Sequence, residues 1–324
     1  DPAMLDAATL QSGLQNLLSE THFDELGKRE SGKVRDSYRQ GDRRLLVTTD
    51  RISAFDCILG TIPFKGQVLN QLAAFWFENT RDIAPNHVLD LPDPNVMVVQ
   101  ECEQLPLEFI VRGYITGVTP TSAWFNYERG VRHFCGNLLP EGLKKDQKLE
   151  RPILTPTTKH EKHDRPISRD EAIREGLIDA ATFDAAAEIC FKLFARGVAH
   201  AARQGLILVD TKYEIGRRNG QLVVSDEIHT PDSSRYWFAD TYADRFAAGQ
   251  EQRKIDKEYV REWLAARGFR GEGQPPALPD DVRLEATRRY IQAYEQVTGK
   301  TFIAGTEPIE ARIRRNLKAT GYLK

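Results

Sequence analysis

An α+β fold is predicted by three observations: strand-like segments gathered early in the chain, helical periodicity gathered late, and a length beyond what one core organises. Residues 34–38, 43–49, 96–101 and 107–111 alternate or run apolar like strands, with one helical stretch at 69–80 among them. A doubly wound parallel sheet would alternate the two kinds of segment along the whole chain. With 324 residues, two lobes are expected. We assign residues 1–112 to a β-rich lobe, and residues 113–324 to a second α/β lobe with a helical C-terminal extension.

The elements follow in order. Asp1-Pro2-Ala3 ahead of Met4 reads as a leftover of expression, and residues 5–26 as a weak amphipathic helix or a helix plus loop. Pro85, Pro92 and Pro94 punctuate the connection after the helix at 69–80. Ser168 with Glu171 forms a capping box, residues 183–203 carry a helical apolar stripe, and Gly205 is placed as its stop. A hairpin comes next, over residues 206–225. Helices are then expected at 254–267, 281–298 and 308–318, separated by Gly268, a Gly/Pro-rich link at 271–279, and Gly299. The chain shows no internal repeat.

Composition excludes several function classes. With 45 basic against 47 acidic residues and a pI near 6.5, no global field draws the chain to nucleic acid or to a membrane. Cys57, Cys102, Cys135 and Cys190 form no CxxC pair, so neither a zinc site nor a disulfide framework is indicated. Reduced thiols, no apolar run that spans a bilayer, no signal peptide and no lipidation motif together predict a cytoplasmic protein. Nothing in the sequence sets an oligomeric state.

The most informative stretch is the hairpin, LILVDTKYEIGRRNGQLVVSDEIHTPDSSRYW. Asp210, Lys212 and Glu214 share one strand face, because side chains alternate with period two. Asn219-Gly220 is the turn signal. A two-residue turn pairs Arg218 with Gln221 and sets Asp226 on the opposite face from Lys212 and Glu214. A three-residue turn pairs Lys212 with Asp226. We expect the second, since it gathers two carboxylates and an ammonium on one surface. Such a set suits Mg²⁺, which takes one or two carboxylates and completes its shell with water and phosphate. The sequel Asp226 to Arg235 adds hydroxyls and an arginine fork suited to phosphate or carboxylate.

Other motifs add to this. Gly27 to Lys33 fits the first seven positions of a Walker A loop, but Val34 stands where the magnesium-binding hydroxyl should be, and a strand pattern follows. We therefore read a glycine-rich β-turn-β lid over a nucleotide, as in kinase-like folds, with Lys33 and Arg35 supplying charge. TDRISAFD at 49–56 is a polar loop directly after an apolar strand, and LPLEFIVRGYITG puts Glu108 and Arg112 into another. His160 and His163 lie three apart with Lys162 between them, which opposes a metal site; a substrate loop with Lys159 as a point charge fits better.

Together and in this order, GKVRDSY, TDRISAFD, LPLEFIVRGYITG, LVDTKYEIG and SDEIHTPDSSRYW resemble the phosphoribosylaminoimidazole-succinocarboxamide synthases, or SAICAR synthetases, of purine biosynthesis. The likeness covers residues 32–237. It implies an ATP-dependent, Mg²⁺-requiring ligase whose small-molecule substrates are ATP, carboxyaminoimidazole ribonucleotide and L-aspartate, held in a cleft between lobes. By the same resemblance, Gly32, Lys33 and Arg35 form the ATP-phosphate loop, and Val98 to Glu103 lie beside adenine. Lys212, Glu214 and Asp226 form the catalytic group, the two carboxylates holding Mg²⁺. Glu108, Arg112, Asp232 and Arg235 bind the ribonucleotide, Asp50, Arg51 and Ser53 line the same cleft, and Lys159 and Asp164 face aspartate or the imidazole. Two positions depart from the family pattern. Val118-Thr119-Pro120-Thr121 separates Gly117 from Ser122, which is expected to take the serine role that Thr119 or Thr121 could also fill, and Ile215 replaces a phenylalanine. A kinase-like phosphotransferase and a non-catalytic nucleotide module are the competing readings; only the ligase incorporates labelled aspartate.

Overall fold

The computed structural model describes residues 5–255 and 257–324; the leftover expected at residues 1–3 lies outside them. The chain divides into two compact units, the first holding the chain up to Glu78, His87–Glu101 and Ile255–Lys324, the second Asn79–Asn86 and Cys102–Lys254. A boundary after residue 112 would cut a strand, Leu107–Ile115. The C-terminal helices, expected with the second lobe, belong to the first unit.

In the first unit, α1 (Ala7–Gly13) starts where Asp6 accepts the Thr9 N–H, a side-chain N-cap. β1 (Arg29–Ser31), β2 (Arg35–Gln40) and β3 (Arg43–Thr48) follow. The TDRISAFD stretch, expected as a loop, is a hairpin of β4 (Arg51–Ala54) and β5 (Cys57–Thr61). Its turn residues Phe55 and Asp56 both have positive φ, the signature of a two-residue mirror-image turn, and no glycine announced it. After α2 (Lys65–Glu78), β6 (Val88–Asp93) and β7 (Val96–Gln100) complete an antiparallel sheet of order β1-β2-β3-β7-β6.

β7 reads VMVV because both of its faces are covered. Val96 and Val98 join Leu45, Val47, Ile309, Ile313 and Leu317 in one core cluster, while α2 packs against β3 and β7. This explains the return of the tail.

The second unit is built on one long strand. Its elements are β8 (Glu103–Gln104), β9 (Leu107–Ile115), α3 (Ala123–Glu128), β10 (His133–Phe134), β11 (Asn137–Leu138), β12 (Gln147–Leu154), β13 (Thr157–Thr158), α4 (Arg169–Arg174), α5 (Ala180–Arg203), β14 (Leu206–Arg218), β15 (Gln221–Ser225), β16 (Ser234–Phe238) and α6 (Tyr242–Ala247). β14 pairs antiparallel with β8, β9, β15 and β16. One face of this sheet is apolar and lies under α5, where Phe109 meets Phe183 with ring centroids 5.7 Å apart. Gly197 of α5 permits the close approach, since a Cβ there would come within 2.6 Å of both His229 and Leu208. Of the capping box expected at Ser168, the serine half is present, its hydroxyl accepting the Glu171 N–H at the start of α4.

The chain then returns to the first unit with α7 (Glu258–Ala266), α8 (Asp280–Thr298) and α9 (Ile309–Ala319). Among the described residues, no helix is long and apolar enough to cross a membrane.

Candidate active site

The other face of the second unit's sheet carries the charges. β14 offers Asp210, Lys212 and Glu214 at alternate positions, and β9 offers Glu108, Ile110 and Arg112 opposite them, with Asp210 beside Arg112 and Lys212 beside Ile110. β16 brings Arg235 to the other side of Asp210. The Asp210 carboxylate accepts from Arg235 at 2.7 Å and lies 3.6 Å from the Arg112 guanidinium. Arg112 is buried and also donates to Thr155 Oγ1 at 2.7 Å and to the Thr121 carbonyl at 3.1 Å. Burial pushes its pKa below the usual arginine range, opposed by Asp210 and aided by Arg235.

Further along the same face, Lys212 Nζ is 3.6 Å from Glu108, whose other oxygen meets Thr157 Oγ1 at 3.5 Å. Lys159 pairs directly with Glu214, so this lysine serves a carboxylate of the strand instead of standing as a free charge on its loop. Asp164, His160 and His163 are exposed.

The turn is not the one expected. Arg218 pairs with Gln221, Glu214 with Ser225, and Asn219 and Gly220 both have positive φ, which makes a two-residue mirror-image turn. Lys212 is therefore not opposite Asp226. Pairing stops at Ser225, and Asp226 itself is left-handed with φ 64°, so strand alternation no longer dictates its face. Among the described residues, no three His, Cys, Asp or Glu side chains converge as a metal cage. Mg²⁺ asks for less, and hard carboxylate oxygens of the Glu214 and Asp226 kind match its preference.

The segment after Asp226 is tied down from beneath. His229 is fully buried, its Nε2 is 2.5 Å from the Tyr213 hydroxyl, and its carbonyl accepts from Tyr236 at 2.6 Å. Burial lowers its pKa to about 3, so it is a neutral anchor. Above it, Thr230 donates to Glu227 at 2.7 Å. Asp232 is half-buried in the same loop.

Ser122 and Thr119, two of the hydroxyls expected near the insertion, meet each other. Ser122 is buried, its hydroxyl is 2.7 Å from that of Thr119, and a Cβ on Gly117 would fall 2.3 Å from Ser122 Oγ and 3.1 Å from Arg235 Nη2. Gly117, at φ 99°, thus lets Ser122 and Arg235 share one spot.

In the first unit, Gly32 and Lys33 lie exposed in the β1–β2 connection, and Lys33 Nζ bonds Asp56 at 2.6 Å. Arg35 begins β2. Of the residues expected to line a substrate cleft, Asp50 and Arg51 have hydrogen-bond partners within the protein. Asp50 is fully buried and accepts the Leu18 and Gly66 N–H groups at 2.9 Å each, which places its carboxylate at the N-terminus of α2. Burial raises its pKa to about 6. Arg51 is 7% exposed and donates to Ser19, Gly32 and Lys33 carbonyls and to Asp36. Ser53 is buried on β4. Val98 is a core residue, whereas Glu103 is exposed on β8. Asp210, Thr155 and Asp36 were not among the expected site residues; for Asp210 the signal was its place two residues before Lys212.

The SAICAR synthetase family model matches residues 28–276. A phosphoribosylaminoimidazole-succinocarboxamide synthase of Legionella pneumophila (strain Paris) is 48% identical over 306 residues, which cover 93% of this chain and 97% of that one. A chloroplastic synthase of Arabidopsis thaliana is 48% identical over 316 residues, 95% of this chain and 77% of that one. Among solved structures, SAICAR-synthase from Saccharomyces cerevisiae complexed with SAICAR superposes with a TM-score of 0.78 at 33% identity, covering 89% of this chain and 100% of the other. Fold and matched sequence define one class, and the chain belongs to the SAICAR synthetase family.

Proposed function

We propose that this chain joins carboxyaminoimidazole ribonucleotide to L-aspartate at the expense of ATP, releasing the succinocarboxamide ribonucleotide, ADP and phosphate in purine biosynthesis. The observation that carries the reading is the charged sheet face, on which Asp210 holds two arginines and each neighbouring acid, Glu108 and Glu214, holds a lysine. Membership in the family supports it.

A carboxylate is a poor acyl donor. Transfer of the γ-phosphoryl group to the ribonucleotide carboxylate gives an acyl phosphate, the aspartate amine adds to its carbonyl carbon, and the C–O bond to phosphate breaks as the amine loses its proton. No protein nucleophile is needed; positioning and charge neutralisation supply the catalysis. We assign Gly32, Lys33 and Arg35 to the triphosphate, the Glu103 end of residues 98–103 to adenine, and Lys212 to the transferring phosphoryl group. Arg112, Arg235, Glu108, Asp232 and Ser122 receive the ribonucleotide, the arginine forks meeting phosphate or carboxylate. Lys159 and Asp164 are assigned to the aspartate side. Glu214 and Asp226 would hold Mg²⁺, which neutralises phosphate charge when bound. Four cysteines spread along the chain without a CxxC pair fit the cytoplasm.

Labelled aspartate tests this. Ribonucleotide- and ATP-dependent incorporation with one ADP per amide is expected; ATP turnover onto a hydroxyl acceptor without incorporation would make the protein a phosphotransferase.

A further inference from the structure

Three successive carbonyls of the glycine loop are held by two residues, Arg51 and Thr49. Arg51 donates to the Gly32 carbonyl at 3.0 Å and to the Lys33 carbonyl at 3.3 Å. The Val34 carbonyl accepts from the Thr49 N–H at 3.0 Å and from the Thr49 hydroxyl at 2.5 Å. Arg51 is itself fixed by the Ser19 carbonyl at 2.8 Å and by Asp36 at 2.9 Å. Asp36 is fully buried and also accepts from the Thr21 N–H, the Thr21 hydroxyl and Ser31. Although burial opposes its ionisation, Arg51 and these donors hold the Asp36 carboxyl below its usual range.

Peptide geometry turns this into a statement about the loop's other side. A trans peptide unit places its C=O and N–H in opposite directions, and the described residues include no cis peptide bond. Holding the Gly32 and Lys33 carbonyls toward Arg51 therefore turns the N–H groups of Lys33 and Val34 away from it. Successive N–H groups aimed to one side make an anion-binding concavity. Glycine at 32 could otherwise let the first of these peptides rotate, because it has no Cβ to bar the alternative.

We propose that Arg51, with Thr49, is a positioning residue that sets the phosphate-binding side of the glycine loop, and does not contact the ribonucleotide or aspartate. This rests on the reading of the loop as the ATP-phosphate site. A lysine at position 51 keeps a charge for Asp36 but cannot reach three carbonyls with one ammonium. Thr49→Val removes a single hydroxyl and keeps the backbone N–H.

The test compares KM for ATP, ribonucleotide and aspartate, and the competitive inhibition constant of adenosine, in the wild type, R51K and T49V. R51K is expected to raise KM for ATP about tenfold, the worth of one hydrogen bond to a charged group, and T49V about threefold. Adenosine, which lacks phosphates, should inhibit all three within about twofold, as should the other two KM values hold. Equal rises for ATP and ribonucleotide would overturn the proposal by making Arg51 a substrate contact. A parallel loss for adenosine would overturn it by making the effect general to the fold. If R51K does not fold, T49V decides by the same pattern, an unchanged KM for ATP counting against. A wild type without ATP-dependent aspartate incorporation would instead remove the reading beneath.

Discussion

Arg51 and Arg235 make an instructive pair. Both sit in motifs of the same family, and both form an ion pair with a buried aspartate, Asp36 or Asp210. Arg51 donates from Nε, Nη1 and Nη2 to three backbone carbonyls and a carboxylate, all of them parts of the protein. Arg235 instead lies on a sheet face with Arg112, and both guanidinium groups meet the Asp210 carboxylate. Two arginine forks side by side suit a phosphate or carboxylate. Residue type and motif membership do not separate the two settings; whether the fork meets the backbone of a loop or the charged face of a sheet does.

The largest effect is expected at Asp226, the carboxylate proposed to hold Mg²⁺. Asp226→Asn keeps a residue that tolerates the left-handed backbone and removes only the charge. Aspartate incorporation is expected to fall by roughly 10²- to 10³-fold, the scale of losing one electrostatic group in a phosphoryl-transfer site, with an unchanged melting temperature. Near-normal turnover at saturating Mg²⁺ would sink the assignment. Arg235→Gln comes next. It leaves Asp210 with Arg112 alone and should raise KM for the ribonucleotide roughly 10- to 100-fold, the value of a charge-assisted hydrogen bond, while KM for ATP holds. A rise confined to ATP would exchange the roles drawn for the two arginines.

Much of this was legible in the sequence. The strands around Leu45, Val98 and Phe109, the long helix ending before Gly205 and the shared face of Asp210, Lys212 and Glu214 all follow from periodicity, a local property. The hairpin register differs from the expected one because Asn219-Gly220 sets the two-residue turn by its own backbone preference, whatever charges the other register would gather. For Asp50 and Arg51 the sequence showed the polarity but not the partners. Polarity beside a strand reports that a group needs partners, not whether these are ligands or backbone, and here Leu18, Gly66, Ser19 and Gly32 supply them. The return of α9 to the first unit's core rests on contacts nearly 300 residues apart, such as those of the Leu18 and Ile313 cluster, which no window of sequence contains.

The burial of Asp50 can be sharpened by pH. Its pKa is raised by burial from 3.8 to about 6, so between those values the folded state binds more protons than the unfolded one. The sign is then fixed: this group's contribution is fully present below about pH 4 and is lost as pH rises toward 6 and above. Asp50→Asn removes that dependence. The stability of the variant relative to wild type should therefore improve with rising pH, by on the order of 2 kcal/mol between pH 4 and 7, read from urea midpoints. A constant difference across that range would place Asp50 in a solvated setting, contrary to its two N–H partners.

The smallest effect tests the turn. Asn219 is exposed with φ 51° and Gly220 follows at φ 76°; alanine at position 219 must adopt the left-handed region at a cost of about 1 kcal/mol. A modest drop in the urea midpoint is expected for Asn219→Ala, with kcat within about twofold, because the turn lies beyond the paired rows that carry Lys212 and Glu214. A loss of rate larger than the loss of stability would mean that the two-residue register itself holds Glu214 and Asp226 in their working geometry. The turn would then belong with Arg51, among the groups that act on chemistry only by placing something else.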